Sequence, residues 1–439
     1  MPGRGQRVNS RPHGRRGYPA PMPTWIGSAV EIVVPARLGR GFRWLLSSSI
    51  VSNAGDGIAL SAGPLLVASQ TRDPLLVSMA LLAQVLPALL FGFVAGAAAD
   101  RVDRRRIVVG INLGRAVVLG VLAATIASGT VSIAVVLATL FVLGTAETFA
   151  DVASSSLLPR VVPRADLGIA NARMQGAQLL TNQLLTPPIG AFLFAVGMAI
   201  PFATNAACFA LGSLLVSRVV ATRALEPDEP RERPSLRADM AEGLRWLVGH
   251  RPMRTLALTI LAFNVTFGAA WSVLVLYASE RLGMDAVGFG LITTAIAVGG
   301  LIGAATYGRF AAAFSLGNIM RVGLVIETLT HLTLALTQSP PVALVTMVVF
   351  GAHAFVWGTT ATTVRQRAVP DGLLGRVTGV YTVGMMGGIA VGTPIGGLLA
   401  RQFGITAPFW FGFVGSAVLV LVLWRQFVHI GEAGAVHAS

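Results

Sequence analysis

Three observations predict an all-α integral membrane protein with twelve transmembrane helices in two six-helix pseudo-repeats. The first is composition. The 439 residues are 54% hydrophobic and only 12% charged, with a mean hydropathy of +0.72, whereas soluble domains carry about 25% charged residues. The second is the spacing of apolar runs, at 43–69, 75–99, 107–128, 131–153, 171–196, 200–221, 254–279, 286–308, 320–338, 341–363, 376–402 and 406–428. Each approaches the roughly 20 residues that cross a bilayer as a helix. The third is charge asymmetry. All 33 basic residues are arginine, and alternate loops hold only Arg72, Arg281 and Arg401. By the positive-inside rule the arginine-rich loops, and with them both termini, face the cytoplasm.

Taken in order, residues 1–42 are rich in Arg, Pro and Gly without periodicity and read as a disordered basic tail. No compact apolar region with a small-residue cleavage site follows Arg15-Arg16, so an export signal is rejected. Residues 43–221 form the first six-helix bundle. Within it the turn from Gly96 through Asp100-Arg101-Val102-Asp103-Arg104-Arg105 to Arg106 is short and basic, which fixes the orientation. Residues 222–253 form the longest internal loop. Ser235 is a candidate N-cap, and Leu236, Met240, Leu244 and Leu247 share one helical face, so a short amphipathic helix along the inner membrane surface is predicted. Residues 254–428 form the second bundle and 429–439 a cytoplasmic tail. The halves repeat weakly. Pro163-Arg164-Ala165-Asp166-Leu167 precedes Thr186-Pro187-Pro188-Ile189-Gly190 much as Pro370-Asp371-Gly372-Leu373 precedes Thr393-Pro394-Ile395-Gly396.

Several functions are excluded or disfavoured. Without lysine there is no Walker A loop and no Schiff-base chemistry. The single Cys208 allows neither an intrachain disulfide nor a cysteine metal cluster, and the six histidines show no paired ligand spacing. No cofactor or metal is expected. A pI near 11.5 would suit nucleic acid, but the arginines lie in tails and alternate loops. The expected partner is anionic lipid, not nucleic acid.

These features together resemble the major facilitator superfamily of secondary transporters over roughly residues 43–428. Gly55-Asp56, Ala99-Asp100-Arg101-Val102-Asp103-Arg104-Arg105, Leu158-Pro159-Arg160-Val161-Val162, Ala170-Asn171-Ala172 and Glu242-Gly243-Leu244-Arg245-Trp246-Leu247 narrow the resemblance to the branch of macrolide efflux pumps and the enterobactin exporter. The pattern departs at Asp103, where the family's loop usually has glycine, and at Pro187-Pro188, where exporters often carry Gly-Pro. The resemblance implies a conformational latch at Gly96, Asp100, Arg101, Arg104 and Arg105, with Asp100 meeting the start of span 11 near Gly375. It also implies that spans 1, 4, 7 and 10 line the cavity while spans 3, 6, 9 and 12 support from outside.

Charges inside a membrane are costly and mark functional sites. Asp56, mid-span with Asn53 one turn before it, is the first candidate for proton coupling, with Glu147 and Asp151 behind it. Arg115, at similar depth to the latter two, is a candidate for a structural charge pair. Asn53, Asn264, Phe267, His353 and Trp357 are candidate substrate-cavity residues. Glu327 and His331 share a face of span 9 like a proton relay, but the resemblance assigns them packing or lipid-side roles. Gly384, Gly388, Gly392 and Gly396 form a stripe that permits close helix approach.

The expected activity is secondary transport, proton-coupled efflux of a hydrophobic or amphipathic solute by a monomer in a bacterial cytoplasmic membrane. The alternative within transport is a proton-coupled importer or a facilitator. The alternative of another class is a transport-dead sensor or membrane-embedded enzyme on a transporter fold. No convergent nucleophile, metal set or cofactor motif supports the enzyme.

Overall fold

The computed structural model describes residues 38–101, 103–155, 157–219 and 236–433. The helices of the first half are α1 Gly39–Gln70, α2 Pro74–Arg101, α3 Arg104–Ala127 and α4 Ile133–Ser155. They are followed by α5 Leu167–Gln178, a π-helical stretch Leu179–Leu185, α6 Thr186–Val196 and α7 Ile200–Ser217. A helix α8, Leu236–Gly249, precedes the second half. That half comprises α9 Arg251–Trp271, α10 Ala286–Ala313, α11 Leu316–Leu336, α12 Pro340–Ala368, α13 Asp371–Phe403 and α14 Ala407–Leu423, followed by α15 Gln426–Ala433. Among the described residues, eleven helical segments are long and apolar enough to cross a membrane, with α5, the π stretch and α6 counting as one. The 17-residue α14 is the shorter twelfth.

Local chemistry sets several boundaries. Asp103 caps α3, its carboxylate accepting from the N–H groups of Arg105 at 2.9 Å and Arg106 at 3.3 Å. An aspartate in place of the family's glycine therefore supplies the N-cap oxygen that glycine lacks. Asp285 and Ser315 do the same for α10 and α11, through Gly288 N and Asn318 N. Pro340 opens α12, where a missing N–H costs nothing. Pro187 and Pro188 cannot donate to the turn before them, and there the helix widens into the π stretch. Thr186 Oγ1 supplies a donor to Thr181 O at 2.6 Å. At the far end of α11, Arg281 donates to the carbonyls of Leu336 and Thr337, both at 3.1 Å, and so satisfies acceptors that a helix end leaves open.

Within the first half α1 and α3 pack on α7, and α2 packs on α4. Within the second, α9 packs on α13, α10 on α12 and α11 on α14. The halves meet through α2 against α13 and α6 against α10. Lipid offers no hydrophobic drive for helix association, so close backbone approach carries it. Gly392 and Gly396 of α13 lie against the backbone of Val265 and Ala269. At the arginine-poor face, Gly397 lies against Leu75 and Ser78 of α2, and Gly290 against Ala191. Two ion pairs join the halves there, Arg401 to Asp73 at 3.6 Å and Arg72 to Glu280 at 3.9 Å.

The helix α8 is held on the second half by charge as well as apolar contact. Arg376, near the start of α13, binds Asp239 and Glu242, each at 2.6 Å. Gly243 sits against the Arg376 backbone.

Candidate functional site

The first site is built around Arg115, midway along α3. Its side chain is 6% exposed, and its Nη2 donates to Asp56 Oδ1 of α1 at 2.6 Å. The same Nη2 lies 4.0 Å from Glu147 Oε2 of α4, and the guanidinium stands 4.0 Å from the centroid of the Phe209 ring of α7. Four helices thus converge on one arginine. Asp56 is held in place by its neighbours. Gly55 lies against Asn205 of α7, and Gly57 against Asn182 and Thr186, so α1 sits deep in the bundle at this level. The Glu147 side chain is 53% exposed, and Asp151, one turn on, is exposed as well. The ring of Phe209 attracts the cation without neutralising a carboxylate. The cluster therefore holds one positive charge against three acidic groups.

From depth alone, Arg115 is expected to pair with at least one of Glu147 and Asp151. It does stand 4.0 Å from Glu147, but its closer partner, at 2.6 Å, is Asp56. Depth along a helix was read correctly, but the facing direction was not accessible from one chain.

A cavity of about 450 Å³ lies between the halves, one turn beyond Asp56 along α1, at Leu60 and Pro64. Its wall is mostly apolar, and Gln84, Gln183 and Thr293 are among the few polar side chains on it. It draws on α2, the π stretch, α6 and α10 as well as on α1, α9 and α12, so the expected lining by spans 1, 4, 7 and 10 is corrected: span 4 contributes no lining residue and four further segments do.

The expected cavity residues fare unevenly. Asn53 is half-buried and donates to Ser49 of its own helix, at 2.8 Å to the carbonyl. Asn264 is 6% exposed, donates to Ile260 O at 2.8 Å and faces Gly388 of α13. It is a packing residue of the α9–α13 contact, not a cavity residue. Phe267 is half-buried in a layer of rings between α9 and α12, 4.4 Å from Trp271 and 6.2 Å from Phe350 between centroids. Of this layer, Trp271 reaches the cavity wall. Trp357 stacks on Phe263 at 6.1 Å and, like His353, borders a separate apolar cavity of about 510 Å³ between α10, α11 and α12.

His353 turns away from the central cavity toward α11. Its Nε2 lies 2.9 Å from Glu327 Oε2, while His331 Nε2 lies 3.0 Å from Glu327 Oε1. Glu327 and His331 are wholly buried. The lipid-side role that the resemblance implied for them is therefore overturned, because side chains with no exposed surface face protein.

For the expected latch, the side chains of Gly96, Asp100 and Arg101 lie outside the described residues. Arg104 opens α3, and Arg105 engages Asp103 through its backbone N–H.

Residues 35–439 match the family described as transmembrane secretion effector, a branch of the major facilitator superfamily. The chain belongs to this family. It is 30% identical over 376 residues to the multidrug efflux pump Tap of Mycobacterium tuberculosis, covering 83% of this chain and 88% of that one. It is 28% identical over 303 residues to the enterobactin exporter EntS of Salmonella typhi, covering 65% and 70%. In fold it is similar to a bacterial homologue of the iron transporter ferroportin in its inward-facing state. The TM-score is 0.71 at 17% identity, covering 90% of this chain and 99% of that one. The protein is a multi-pass membrane transporter of this superfamily, not an enzyme.

Proposed function

We propose that this transporter exports a hydrophobic or amphipathic small molecule across the bacterial cytoplasmic membrane in exchange for protons, with both termini in the cytoplasm. One observation carries the coupling: a single buried arginine faces Asp56 at 2.6 Å and Glu147 at 4.0 Å, with Asp151 one turn away. One guanidinium balances one carboxylate. A second ionised carboxylate has no partner, and whenever the site closes to water its uncompensated charge costs several kcal/mol. When the cavity hydrates, the same acid is cheaper ionised. Alternation between these states with alternating access moves protons against solute.

The direction of transport rests on relatives named as an efflux pump and an exporter. The solute class rests on the apolar cavity wall with its few amide and hydroxyl groups, which suits a lipophilic body with a few hydrogen-bonding groups. The 96–106 turn is the proposed cytoplasmic latch.

The test is ethidium-dependent proton flux in proteoliposomes of the full chain. Ethidium movement up its gradient with opposing proton movement is expected. Ethidium movement that only equilibrates and carries no protons would make the protein a facilitator.

A further inference from the structure

We propose that Glu327, His331 and His353 form a second proton-binding site, separate from the Arg115 cluster, that holds one proton shared among the three groups. The geometry is that of a carboxylate clasped from both sides. Each oxygen of Glu327 faces the Nε2 of a different imidazole, at 3.0 Å from α11 itself and 2.9 Å from α12. Only the His353 contact is aligned as a hydrogen bond. Glu327 Oε1 and His331 Nε2 are close but otherwise unsatisfied, and both Nδ1 atoms are buried without a partner. Among the described residues no other charged or titratable side chain acts on Glu327. The neighbouring helix α14 brings Gly412 against the His331 ring, and Gly323 of α11 makes room beside His353.

Charge counting then decides the occupancy. An ionised Glu327 with two neutral imidazoles leaves one negative charge, wholly buried, with no cation near it. A single added proton makes the group neutral.

The site lies one aromatic layer from the solute cavity, and on its other side His353 borders the apolar cavity of about 510 Å³. The Phe350 ring stands edge-on to His353 with centroids 5.7 Å apart, and 4.7 Å from Trp271, which lines that cavity. His353 is the only member of the three with any exposed surface. Proton exchange therefore runs through His353, and the proposed route to the solute cavity passes Phe350.

The experiment is magic-angle-spinning NMR of the full chain in liposomes at pH 7, labelled with ¹⁵N-histidine and ¹³C-glutamate. Signals of the three groups are identified by their loss in Glu327→Gln, His331→Gln and His353→Gln. Either an imidazolium or a protonated Glu327 carboxyl is expected, one proton per chain. An ionised Glu327 beside two neutral imidazoles overturns the proposal, and this reading uses the unaltered protein alone. Asp56→Asn should leave these signals in place; their loss in that variant would overturn the separateness of the site. Phe350→Ala should speed exchange after a pH step at least tenfold, and an unchanged rate would overturn the route past Phe350. None of these readouts depends on proton-coupled export.

Discussion

Arg115 on α3 and Asp56 on α1 are 59 residues apart in sequence and 2.6 Å apart in space. They form the shortest contact in a cluster where four helices of the first half meet. Arg115 is buried beneath Phe209, and its Nε has no partner among the described residues, so most of its compensation comes from Asp56. The pair is at once a structural tie and the part of the site whose charge must change if protons are to be carried.

The structural half of that statement predicts a non-additive stability series. Removing one partner of a buried pair typically costs about 3–5 kcal/mol, because the other charge is left uncompensated. Arg115→Gln should therefore lower the thermal midpoint in detergent sharply, whereas Arg115→Gln with Asp56→Asn should recover most of the loss. A double variant as unstable as the sum of the singles would show that the two side chains act independently.

The functional half predicts a split in transport. Asp56→Asn should abolish ethidium export driven by a proton gradient while ethidium counterflow survives. Full gradient-driven export by this variant would move the coupling role to Glu147 or Asp151. Reconstituted protein that is properly inserted but fails in counterflow too would assign Asp56 to solute binding.

The glycine stripe of α13 predicts a position-dependent response. Gly388, Gly392 and Gly396 sit against the backbone of α9, while nothing lies near the Cβ position of Gly384. Gly392→Leu should separate the helices and destabilise by about 1–3 kcal/mol, the usual cost of overpacking. Gly384→Leu should melt like the parent. Equal melts for the two would mean that α9 and α13 do not need their close approach.

The helices were legible because twelve apolar runs are local signals. Relative depth was legible too: Arg115 and Glu147, read at similar depth in spans 3 and 4, stand 4.0 Å apart. Azimuth was not legible. Asn264 is mid-depth on a helix that borders the cavity, yet it faces Gly388, because the direction a residue points is set by helices elsewhere in the chain. The pairing of Glu327 with His331 could be read from a spacing of four. Its pairing with His353 could not, since no local pattern links two helices. The two prolines at 187 and 188 marked a break in span 5 that the structure resolves as a π-helical stretch.

The last prediction concerns the arginine-poor face, which the proposed topology places outside. There Arg401 of α13 meets Asp73 at the head of α2 at 3.6 Å, and Arg72 meets Glu280 at 3.9 Å. Each pair links one half to the other, so both must break when that face opens. Their exposure limits what they contribute. The Arg72 side chain is 71% exposed and that of Arg401 57%, and exposed pairs are worth about 0–1 kcal/mol each and weaken with salt. A change of that size shifts a two-state equilibrium by roughly fivefold at most. Asp73→Asn or Glu280→Gln alone should therefore raise the outward-open population modestly in low salt and hardly at all in molar salt. Spin labels on the 128–132 and 337–339 turns can report the distance distribution. An increase that persists unchanged in molar salt would assign the closure to the Gly397 and Gly290 contacts, leaving the ion pairs without a part in gating.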